Sequence, residues 1–449
     1  MHKNNELQQW IERLQNHGAL PAIELKLERI QNFLVRIGNP HLRLPPIVHI
    51  AGTNGKGSTL AFIHAIMQAA GLKAHRYTSP HLVQFNERFI VANEQISDAA
   101  LLDAFHALEP HLTAHPLTYF EATTALGFWL FAQNKADFTL LEVGMGGRFD
   151  ATNVVPKPAI TTITPISLDH QEFLGETIAK IAFEKAGIIK EGAPCVVGVQ
   201  HPHAMQVIES RAHELNAPLF RHGVEWNFEI LPDKSLHYIS ENLSINTPAP
   251  ALLGEHQYQN AALAIACVDI LSQNSDLPLP LGEGRGEGKP SPIGRGLGEG
   301  FYEKAIPIGI AKATWQGRLQ QISLKNHGIT NQIFVDGGHN EAGAESIASW
   351  LQSLLKPPHL IMGLKADKDA HAFISKLAPF CVSIKFVSVP DVACHSPQIL
   401  QQMAVSMGYV ATAHSDILEA ANNIPSHQTI LICGSLYLVG EVLRLAESA

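Results

Sequence analysis

Residues 47–59 read IVHIAGTNGKGST, a short apolar run followed at once by a glycine-rich loop. The apolar half predicts a buried strand, and residues 58–70 predict a helix. Glycines let several backbone N–H groups approach phosphate oxygens, and the start of a helix adds the positive end of its dipole. Lys56 can supply positive charge, and the hydroxyl of Ser58 or Thr59 can bind Mg²⁺. The stretch therefore predicts a nucleotide-binding loop at the carboxyl end of a strand.

The spacing of this loop departs from that of the common phosphate-binding loop, because Gly57 separates Lys56 from Ser58. The alternative is a glycine-rich surface turn that binds nothing. The predicted strand before the loop and the predicted helix after it favour nucleotide binding.

Strand-like and helix-like patterns alternate along most of the chain, which is typical of mostly parallel α/β sheets. The first series predicts strands over residues 47–51, 73–78, 138–143, 159–164 and 195–199, and helices over residues 58–70, 121–133 and 178–190. The second series predicts strands over residues 333–336, 360–362 and 430–433, and helices over residues 342–355, 370–377 and 436–445. Two α/β units in succession fit the length of 449 residues.

Composition excludes several classes of protein. A net charge of -9 argues against nucleic-acid binding as the main function. The five cysteines form no C-x-x-C pair, which indicates free thiols in a reducing compartment. The polar start is unlike a signal peptide, and no apolar run of about 18 residues predicts a membrane span. We therefore expect a cytoplasmic enzyme with no membrane partner.

One stretch, residues 277–300, stands apart in composition. Eight glycines and four prolines make up half of its 24 residues. Such a segment buries too little apolar surface to offset its ordering entropy, so it predicts a flexible insertion that catalysis does not need. The alternative is an interaction tail, suggested by its alternating charges.

Three side chains of the first series are candidate ligands. Glu142 ends the predicted strand 138–143, where a carboxylate would face a ligand crevice and suit a hard cation. His170 follows the next strand and could reach the same crevice. Lys185 is a candidate only in combination with Glu142 and His170, because a lysine at this position would equally suit the solvent-exposed side of a helix. GMGGRF, residues 144–149, is not a dinucleotide fingerprint, since a phenylalanine replaces the third glycine.

The second series contains its own candidate site, VDGGHN, at the end of the predicted strand 333–336. Asp336 and His339 stand at the carboxyl end of that strand, beside a tight glycine turn where ligand groups are often found. The alternative is an Asx turn, with Asn340 capping the next helix. The residues alone leave both interpretations open.

Taken together, the chain resembles the folylpolyglutamate synthase and dihydrofolate synthase family, within the Mur peptide ligase superfamily. The matching blocks, in chain order, are AGTNGKGST, YTSPHL with NERF, TYFEATTA, LEVGMGGRFDATN, SLDHQEFLG, FEKAGI, QNAALAI, WQGRLQ, VDGGHN, MGLKADKD and LICGSLY. They cover nearly the whole chain apart from residues 277–300.

The resemblance implies an α/β fold with two domains and an active site in the cleft between them. An N-terminal ATPase domain of the P-loop type, with a parallel sheet, would span residues 1–314, and a smaller Rossmann-like glutamate-ligase domain residues 315–449. The expected ATP-binding residues are Gly55, Lys56, Gly57, Ser58, Asn260, Arg318 and Asp336. Two Mg²⁺ ions are expected: Ser58, Glu142 and His170 would bind the first, and a carbamylated Lys185 would help to bind the second.

The resemblance also implies the substrate contacts. The pterin would contact three segments: Leu27, Glu28, Arg29 and Ile30; Thr118, Tyr119, Phe120 and Glu121; and Phe149, Asp150 and Ala151. His339 and Ser435 would help to place glutamate and the acyl phosphate. Three positions depart from the family pattern: Glu24-Leu25-Lys26 replaces Asp-Leu-Gly, Gly338 replaces alanine and Gln316 replaces proline. The departure at residues 24–26 affects the expected pterin contacts.

The implied reaction is an ATP-dependent ligation of L-glutamate to dihydropteroate and to reduced folates through an acyl phosphate. The expected catalytic residues are Lys56, His170, Lys185, Asp336 and His339. The implied partners are small molecules only, and we expect a monomer. The alternatives are a folylpolyglutamate synthase without the first activity, another amino-acid ligase of the Mur type, or a nucleotide-driven regulator or transport ATPase without ligation.

Overall fold

A computed structural model describes residues 2–16, 26–273 and 301–448. The described residues form two compact units: the first lies within residues 1–81, 85–251 and 259–313, and the second within 82–84, 252–258 and 314–449. Each unit is built on a largely parallel sheet, so the predicted α/β fold class is confirmed. The predicted insertion over residues 277–300 lies outside the described residues, as do Glu24 and Leu25.

The helices alternate with strands in both units. The helices as far as residue 312 are α1 (His2–Asn16), α2 (Glu28–Arg36), α3 (Lys56–Ala69), α4 (Asp98–Ala114), α5 (Tyr119–Gln133), α6 (Gln171–Leu174), α7 (Ile178–Ala186), α8 (Pro202–Glu214), α9 (His256–Ser272) and α10 (Phe301–Lys312). Those that follow are α11 (Glu341–Gln352), α12 (Ala370–Leu377), α13 (Pro397–Ser406), α14 (Ile417–Asn422) and α15 (Leu436–Glu447).

The strands form three sheets. The first unit contains β1 (Ile47–Ala51), β2 (Ala74–Tyr77), β3 (Phe89–Val91), β4 (Glu94–Gln95), β5 (Phe138–Glu142), β6 (Ile160–Ile163), β7 (Cys195–Val197), β8 (Leu219–Arg221), β9 (Trp226–Ile230), β10 (Leu236–Ser240) and β11 (Ser244–Thr247). The second contains β12 (Gln320–Leu324), β13 (Ile329–Asp336), β14 (His359–Met362), β15 (Ser383–Phe386), β16 (Ala411–Ala413) and β17 (Ile430–Cys433).

The main sheet of the first unit has the order β4-β3-β2-β5-β1-β6-β7-β8, and only β3 and β4 run antiparallel to their neighbours. β1 therefore lies between β5 and β6, with Ile50 opposite Glu142 and Ala51 opposite Ile163. Because these strands are parallel, the loops that follow them emerge at one edge of the sheet. That edge is where α/β sheets commonly bind ligands.

Helix α3 is buried along most of its length because it packs between the sheet and α10. α10 approaches so closely at Gly309 that a Cβ there would lie 2.5 Å from the backbone of Ile66. Helix α10 thus covers the helix that follows the glycine-rich loop.

The six-stranded sheet of the second unit has the order β12-β13-β17-β14-β15-β16 and is parallel except for β12. Apolar cores cover both of its faces. The predicted strand 333–336 is too short, because pairing with antiparallel β12 extends β13 back to Ile329. The helix predicted over 342–355 ends at Gln352, where tight backbone bonds from Ser353 and Leu354 replace the helical pattern.

Several observed elements were not among the predicted ones, including the two described next. α2 is a short amphipathic helix, and β9 to β11 form a small antiparallel sheet. The helix predicted over 178–190 ends at Ala186, because Ile188 and Ile189 donate hydrogen bonds three residues back. In the ranges that the structure describes, no helix has the length and apolar character needed to cross a membrane.

Candidate active site

The loop between β1 and α3 has the geometry of an anion-binding turn. Gly55 precedes α3 with a φ of 91°, and Thr59 N donates to its carbonyl at 2.8 Å. A Cβ at position 55 would lie 2.4 Å from Oδ1 of Asn260, so glycine is required there for space as well as for backbone angle. The structure thus places Asn260, from α9, directly against the loop.

Two lysines converge on one carbonyl of this loop. Lys56 Nζ donates to Gly52 O at 3.1 Å and to Thr53 O at 3.2 Å. Lys185 Nζ donates to the same Gly52 O at 2.8 Å. Within the described ranges neither ammonium group forms an ion pair with a carboxylate. The turn therefore concentrates positive charge that a bound anion would balance.

Lys185 is buried, and this environment changes its chemistry. Burial and then the charge of Lys56 lower the pKa of Lys185 to about 7, against a smaller opposing effect of Asp169 and Asp150. Near neutral pH a large share of Lys185 is consequently the neutral amine. A neutral amine is a nucleophile, whereas an ordinary surface lysine is almost wholly protonated.

The loop after β1 is joined to the segment after β6. Gly52 has a φ of 150°, and a Cβ there would lie 1.8 Å from Thr164 Oγ1. Thr53 Oγ1 donates to Ser167 O and accepts from Ser167 N, both at 3.1 Å. These contacts hold the carbonyl of Gly52 in the position that both lysines use.

The predicted metal ligands differ in their surroundings. Glu142, the last residue of β5, is buried and accepts a hydrogen bond from Ser79 N at 3.2 Å. Ser58 is buried on α3, and the buried Thr59 Oγ1 beside it has no hydrogen-bond partner among the described residues. His170 is exposed, with a φ of 50°, before the short helix α6.

These groups fit Mg²⁺ better than a transition metal. In the described part of the chain, no three or more His, Cys, Asp or Glu side chains are grouped to hold a metal. Magnesium is commonly bound by one or two carboxylates together with phosphate oxygens and water. A buried carboxylate at Glu142 and buried hydroxyl oxygens at Ser58 and Thr59 are ligands of that kind.

The first two predicted pterin segments meet through an ion pair. Arg29 Nε on α2 donates to both oxygens of Glu121, at 2.8 and 3.1 Å. Glu121 in turn accepts from the backbone and hydroxyl of Thr118, both at 2.9 Å, in a capping box that begins α5. Ile30 is fully buried in the apolar core, so its side chain packs α2 onto the unit.

The third segment joins the same region through Phe120. Its ring occupies the space beside Gly144, where a Cβ would lie 2.4 Å from the ring. Asp150 accepts from the amides of Gly144 and Met145 at 3.0 Å and from Thr152 N at 2.9 Å. The carboxylate of Asp150 therefore accepts hydrogen bonds within its own loop. The ring centroid of Phe149 lies 4.2 Å from the guanidinium carbon of Arg148.

Sequence reasoning overlooked two residues that hold Asp150. Thr152 Oγ1 donates to Asp150 Oδ1 at 2.5 Å, so it accepts from Nε2 of His49 at 2.8 Å. Burial lowers the pKa of His49 to about 3, which keeps the imidazole neutral. The available signal was their position: His49 lies two residues before the block AGTNGKGST, and Thr152 lies within the block LEVGMGGRFDATN. The relay from His49 through Thr152 positions the loop that carries Phe149 to Ala151.

In the second unit, the predicted residues gather at the end of β13. Asp336 accepts from Leu319 N at 2.9 Å and from Gly338 N at 2.7 Å. Arg318 Nη1 donates to Gly317 O at 3.1 Å, and a Cβ on Gly337 would lie 2.7 Å from Arg318 Nη1. The Asx turn that was predicted as the alternative is therefore present, and the guanidinium group of Arg318 lies beside it.

His339 and Ser435 occupy adjoining turns of this unit. His339 Nδ1 lies 2.9 Å from Gly337 O, which fixes the ring beside the Asp336 turn. Ser435 caps α15 by accepting from Tyr437 N at 3.2 Å. Gly434 N donates to Gly338 O at 3.1 Å and so links the two turns. Asn340 caps α11, as expected.

Comparison with known proteins shows what this arrangement resembles. Residues 50–268 match the Mur ligase middle domain, and residues 320–445 match the C-terminal domain of dihydrofolate synthetase. The chain is 33% identical to the dihydrofolate synthase/folylpolyglutamate synthase of Bacillus subtilis, over 95% of this chain and 96% of the relative. It is also 33% identical to the folylpolyglutamate synthase of Lacticaseibacillus casei, over 92% of each chain.

Solved structures give the same result. The bifunctional folylpolyglutamate synthase/dihydrofolate synthase of Yersinia pestis, complexed with AMPPNP and Mn ion, is 30% identical with a TM-score of 0.82. Escherichia coli FolC in complex with DHPP and ADP is 29% identical with a TM-score of 0.83. Each match covers 98% of this chain and 97% of the solved chain.

Proposed function

Because the chain belongs to the dihydrofolate synthase/folylpolyglutamate synthase family, we propose that it joins L-glutamate to dihydropteroate and to reduced folates at the expense of ATP. The convergence of Lys56 and Lys185 on the Gly52 carbonyl supports this reaction most directly. The charge of Lys56 at the start of α3 suits the phosphates of ATP, and the buried Lys185 reaches the same carbonyl with an amine that is partly neutral near pH 7. The relatives in complex with ADP or AMPPNP agree with this assignment.

The chemistry begins with a carboxylate, which is a poor electrophile. An oxygen of the acceptor carboxylate attacks the γ-phosphorus, the bond to ADP breaks, and an acyl phosphate forms. Lys56 and the amides of the loop stabilise the charge that spreads over the transferring group. The amine of glutamate then attacks the carbonyl carbon, phosphate leaves with the electron pair of the C–O bond, and the nitrogen loses a proton.

The residues divide among three substrates: ATP, glutamate and the pterin-bearing acceptor. We assign ATP to Gly55–Ser58 and Asn260 in the first unit and to Arg318 and Asp336 in the second. His339 and Ser435 would place glutamate and the acyl phosphate. The pterin would lie against the segments 27–30, 118–121 and 149–151, which Arg29, Phe120 and the Asp150 loop bring together in the first unit.

Magnesium would be held by Ser58, Glu142 and His170, and when bound it would neutralise charge on the triphosphate. Glu142 is kept in place by Ser79 N, and Ser58 by its position in the buried first turn of α3. The first unit would thus serve as the ATP-binding domain and the second as the glutamate-ligase domain. The cytoplasmic location and the monomeric state remain predictions.

Lys185 would carry a carbamate that helps to bind a second Mg²⁺. Its neutral amine would attack carbon dioxide, forming an N–C bond and releasing a proton, and the carbamate would then bear a negative charge. The lowered pKa and the burial beside Lys56 favour this modification, because the product would pair with a nearby cation. A free ammonium held by Gly52 O is the competing state.

Carbon-13 NMR after incubation with labelled bicarbonate tests the carbamate. We expect one carbamate signal in the wild type, lost in Lys185→Ala and retained in Lys190→Ala, whose ammonium group donates to Asn153 O at 3.3 Å. A short added carboxylate should partly restore the turnover of Lys185→Ala. A signal that survives Lys185→Ala, or no rescue, would contradict the modification.

Mass spectrometry of the products tests the ligation. The protein is incubated with ATP, Mg²⁺ and glutamate, together with either dihydropteroate or tetrahydrofolate. We expect a mass gain of one or more glutamyl residues on both acceptors, with ADP released only when glutamate and an acceptor are present. Activity with tetrahydrofolate but not with dihydropteroate would identify a folylpolyglutamate synthase that lacks the first activity. ADP release in reactions that lack glutamate or an acceptor would refute ligation.

A further inference from the structure

The loop of residues 144–150, which follows β5, lies against the last turn of α7. Arg148 N donates to Glu184 O at 2.7 Å, and Asn153 Nδ2 donates to both Arg148 O and Gly187 O at 3.0 Å. A Cβ on Gly187 would lie 2.4 Å from Cβ of Arg148, so the two backbones are in direct contact. Because packing this close leaves no free space, the loop and the end of the helix hold each other in place.

The side chain of Arg148 adds a second connection between the same two elements. Its Nη2 and Nε donate to the two carboxylate oxygens of Glu184, at 2.7 and 3.2 Å. Its guanidinium carbon lies 4.2 Å from the ring centroid of Phe149 and 4.9 Å from that of Phe183. The Arg148 side chain is 42% exposed, and ion pairs at such positions contribute little to stability. A bidentate pair does fix the relative orientation of its partners, so this contact suits positioning better than stabilisation.

The two ends of this connection belong to different parts of the proposed site. Phe149 is in the segment 149–151, against which the pterin would lie. Glu184 directly precedes Lys185, whose amino group donates to Gly52 O at 2.8 Å. One guanidinium group therefore contacts both the acceptor segment and the helical turn that carries the candidate carbamylated lysine.

We propose that Arg148 is a positioning residue for both parts of the site, an inference that rests on the proposed function. Through Glu184 it fixes the turn that presents Lys185 to Gly52 O, and through its ring contact it fixes Phe149 beside the acceptor. The charge of Arg148 is already balanced by Glu184, so its contribution is orientation and not the attraction of phosphate. Loss of Arg148 should consequently affect the acceptor and Lys185 more than ATP.

Arg148→Gln tests this assignment through a difference between substrates, measured by steady-state kinetics. The KM for the acceptor, dihydropteroate or tetrahydrofolate, should rise about two- to fivefold, whereas the KM for ATP should stay within about twofold. Arg148→Lys keeps the charge but cannot form the bidentate pair, so its KM for the acceptor should also be raised. Combining Arg148→Gln with Glu184→Gln should raise this KM by less than the product of the single effects, because both changes remove the same pair.

The position of Lys185 needs a readout other than turnover. Carbon-13 NMR with labelled bicarbonate should show a weaker carbamate signal from Lys185 in Arg148→Gln than in the wild type. Arg211→Gln is the matched control, since it removes a partly exposed arginine that pairs with Glu214 at 3.0 Å in the same unit. This control should change neither the KM for the acceptor nor the carbamate signal.

Three results would overturn the positioning role alone. Equal rises of both KM values in Arg148→Gln would indicate a general loss of structure, and a normal KM in Arg148→Lys would indicate a requirement for charge only. An unchanged carbamate signal in Arg148→Gln would separate Arg148 from Lys185. A wild type that ligates glutamate to no acceptor would overturn the proposed function as well.

Discussion

The ends of β1 and β13 look alike in the sequence but differ in their charge balance. Each is the carboxyl end of a parallel strand that leads into a glycine-containing turn and then a helix. After β1, the amino groups of Lys56 and Lys185 donate to one neutral carbonyl, and the buried hydroxyl of Thr59 has no partner among the described residues. After β13, the carboxylate of Asp336 accepts two backbone N–H groups.

The difference separates two kinds of site. Groups at the end of β1 are arranged at an electrostatic cost that a bound anion would reduce, because the charge of Lys56 disfavours protonation of the buried Lys185 close to it. Groups at the end of β13 are already satisfied by the backbone, so they hold a fixed shape before any ligand arrives. We therefore expect changes at β1 to alter chemistry first, and changes at β13 to alter geometry and stability.

The largest effect is expected from Lys56→Ala. Loss of this charge should lower kcat by about 10²–10³-fold, about 2.7–4 kcal/mol, by analogy with the loss of one donor to a transition-state oxygen. Stability should change little, since Lys56 is only half-buried and bonds to two loop carbonyls. Steady-state kinetics and thermal unfolding measure both quantities, with Lys312→Ala as the control. Near-normal turnover would remove the phosphate-loop assignment.

Gly52→Ala should damage the β1 turn through its shape. A Cβ would clash with Thr164 Oγ1, and a φ of 150° is unfavourable for alanine. We expect a loss of about 1–3 kcal/mol in the free energy of unfolding, measured by denaturant titration, together with lower turnover. Adding Thr164→Ala should recover part of the stability, because it removes the contact with Oγ1, whereas the contact with Cβ at 2.9 Å and the backbone strain remain. No recovery would show that the contact with Oγ1 is not the cause of the loss.

Asp336→Asn tests the β13 turn. The amide keeps one acceptor oxygen but presents an NH₂ group to the second backbone N–H, which should cost about 1–3 kcal/mol. Thermal unfolding should report this loss, and the KM for ATP should rise. Asp367→Asn, at an exposed position of the same unit, serves as the control. An unchanged melting temperature would contradict the view that Asp336 organises the turn.

The smallest effect is expected from Asn340→Ala, which removes the side chain that caps α11. Losing the bond from Gly343 N should cost about 0.5–2 kcal/mol. Asn340→Asp can still accept that bond, so its melting temperature should stay near that of the wild type. Turnover should remain within a few-fold in both variants. A large loss of activity with normal stability would instead assign Asn340 to the site.

Local sequence patterns were sufficient for much of the fold. Alternating apolar strands and helices predicted the two parallel sheets, and residues 47–51, 370–377 and 430–433 form their elements without any shift of boundary. The glycine-rich loop was also predicted from neighbouring residues. α2 was missed because a single polar stretch of nine residues gives a weak periodic signal, although its apolar face is buried.

The composition of the site was decided by tertiary structure. Lys185 reaches Gly52 across 133 positions of the chain, His49 reaches Thr152 across 103, and Arg29 reaches Glu121 across 92. Periodicity and spacing describe neighbours along a helix or strand, so they cannot predict contacts between residues that are distant in the sequence. The strand order β5-β1-β6 brings these distant loops to one edge of the sheet, and burial there sets the pKa of Lys185. A local motif was therefore sufficient to predict the glycine-rich loop. The charge balance around that loop depends on contacts that form only after folding.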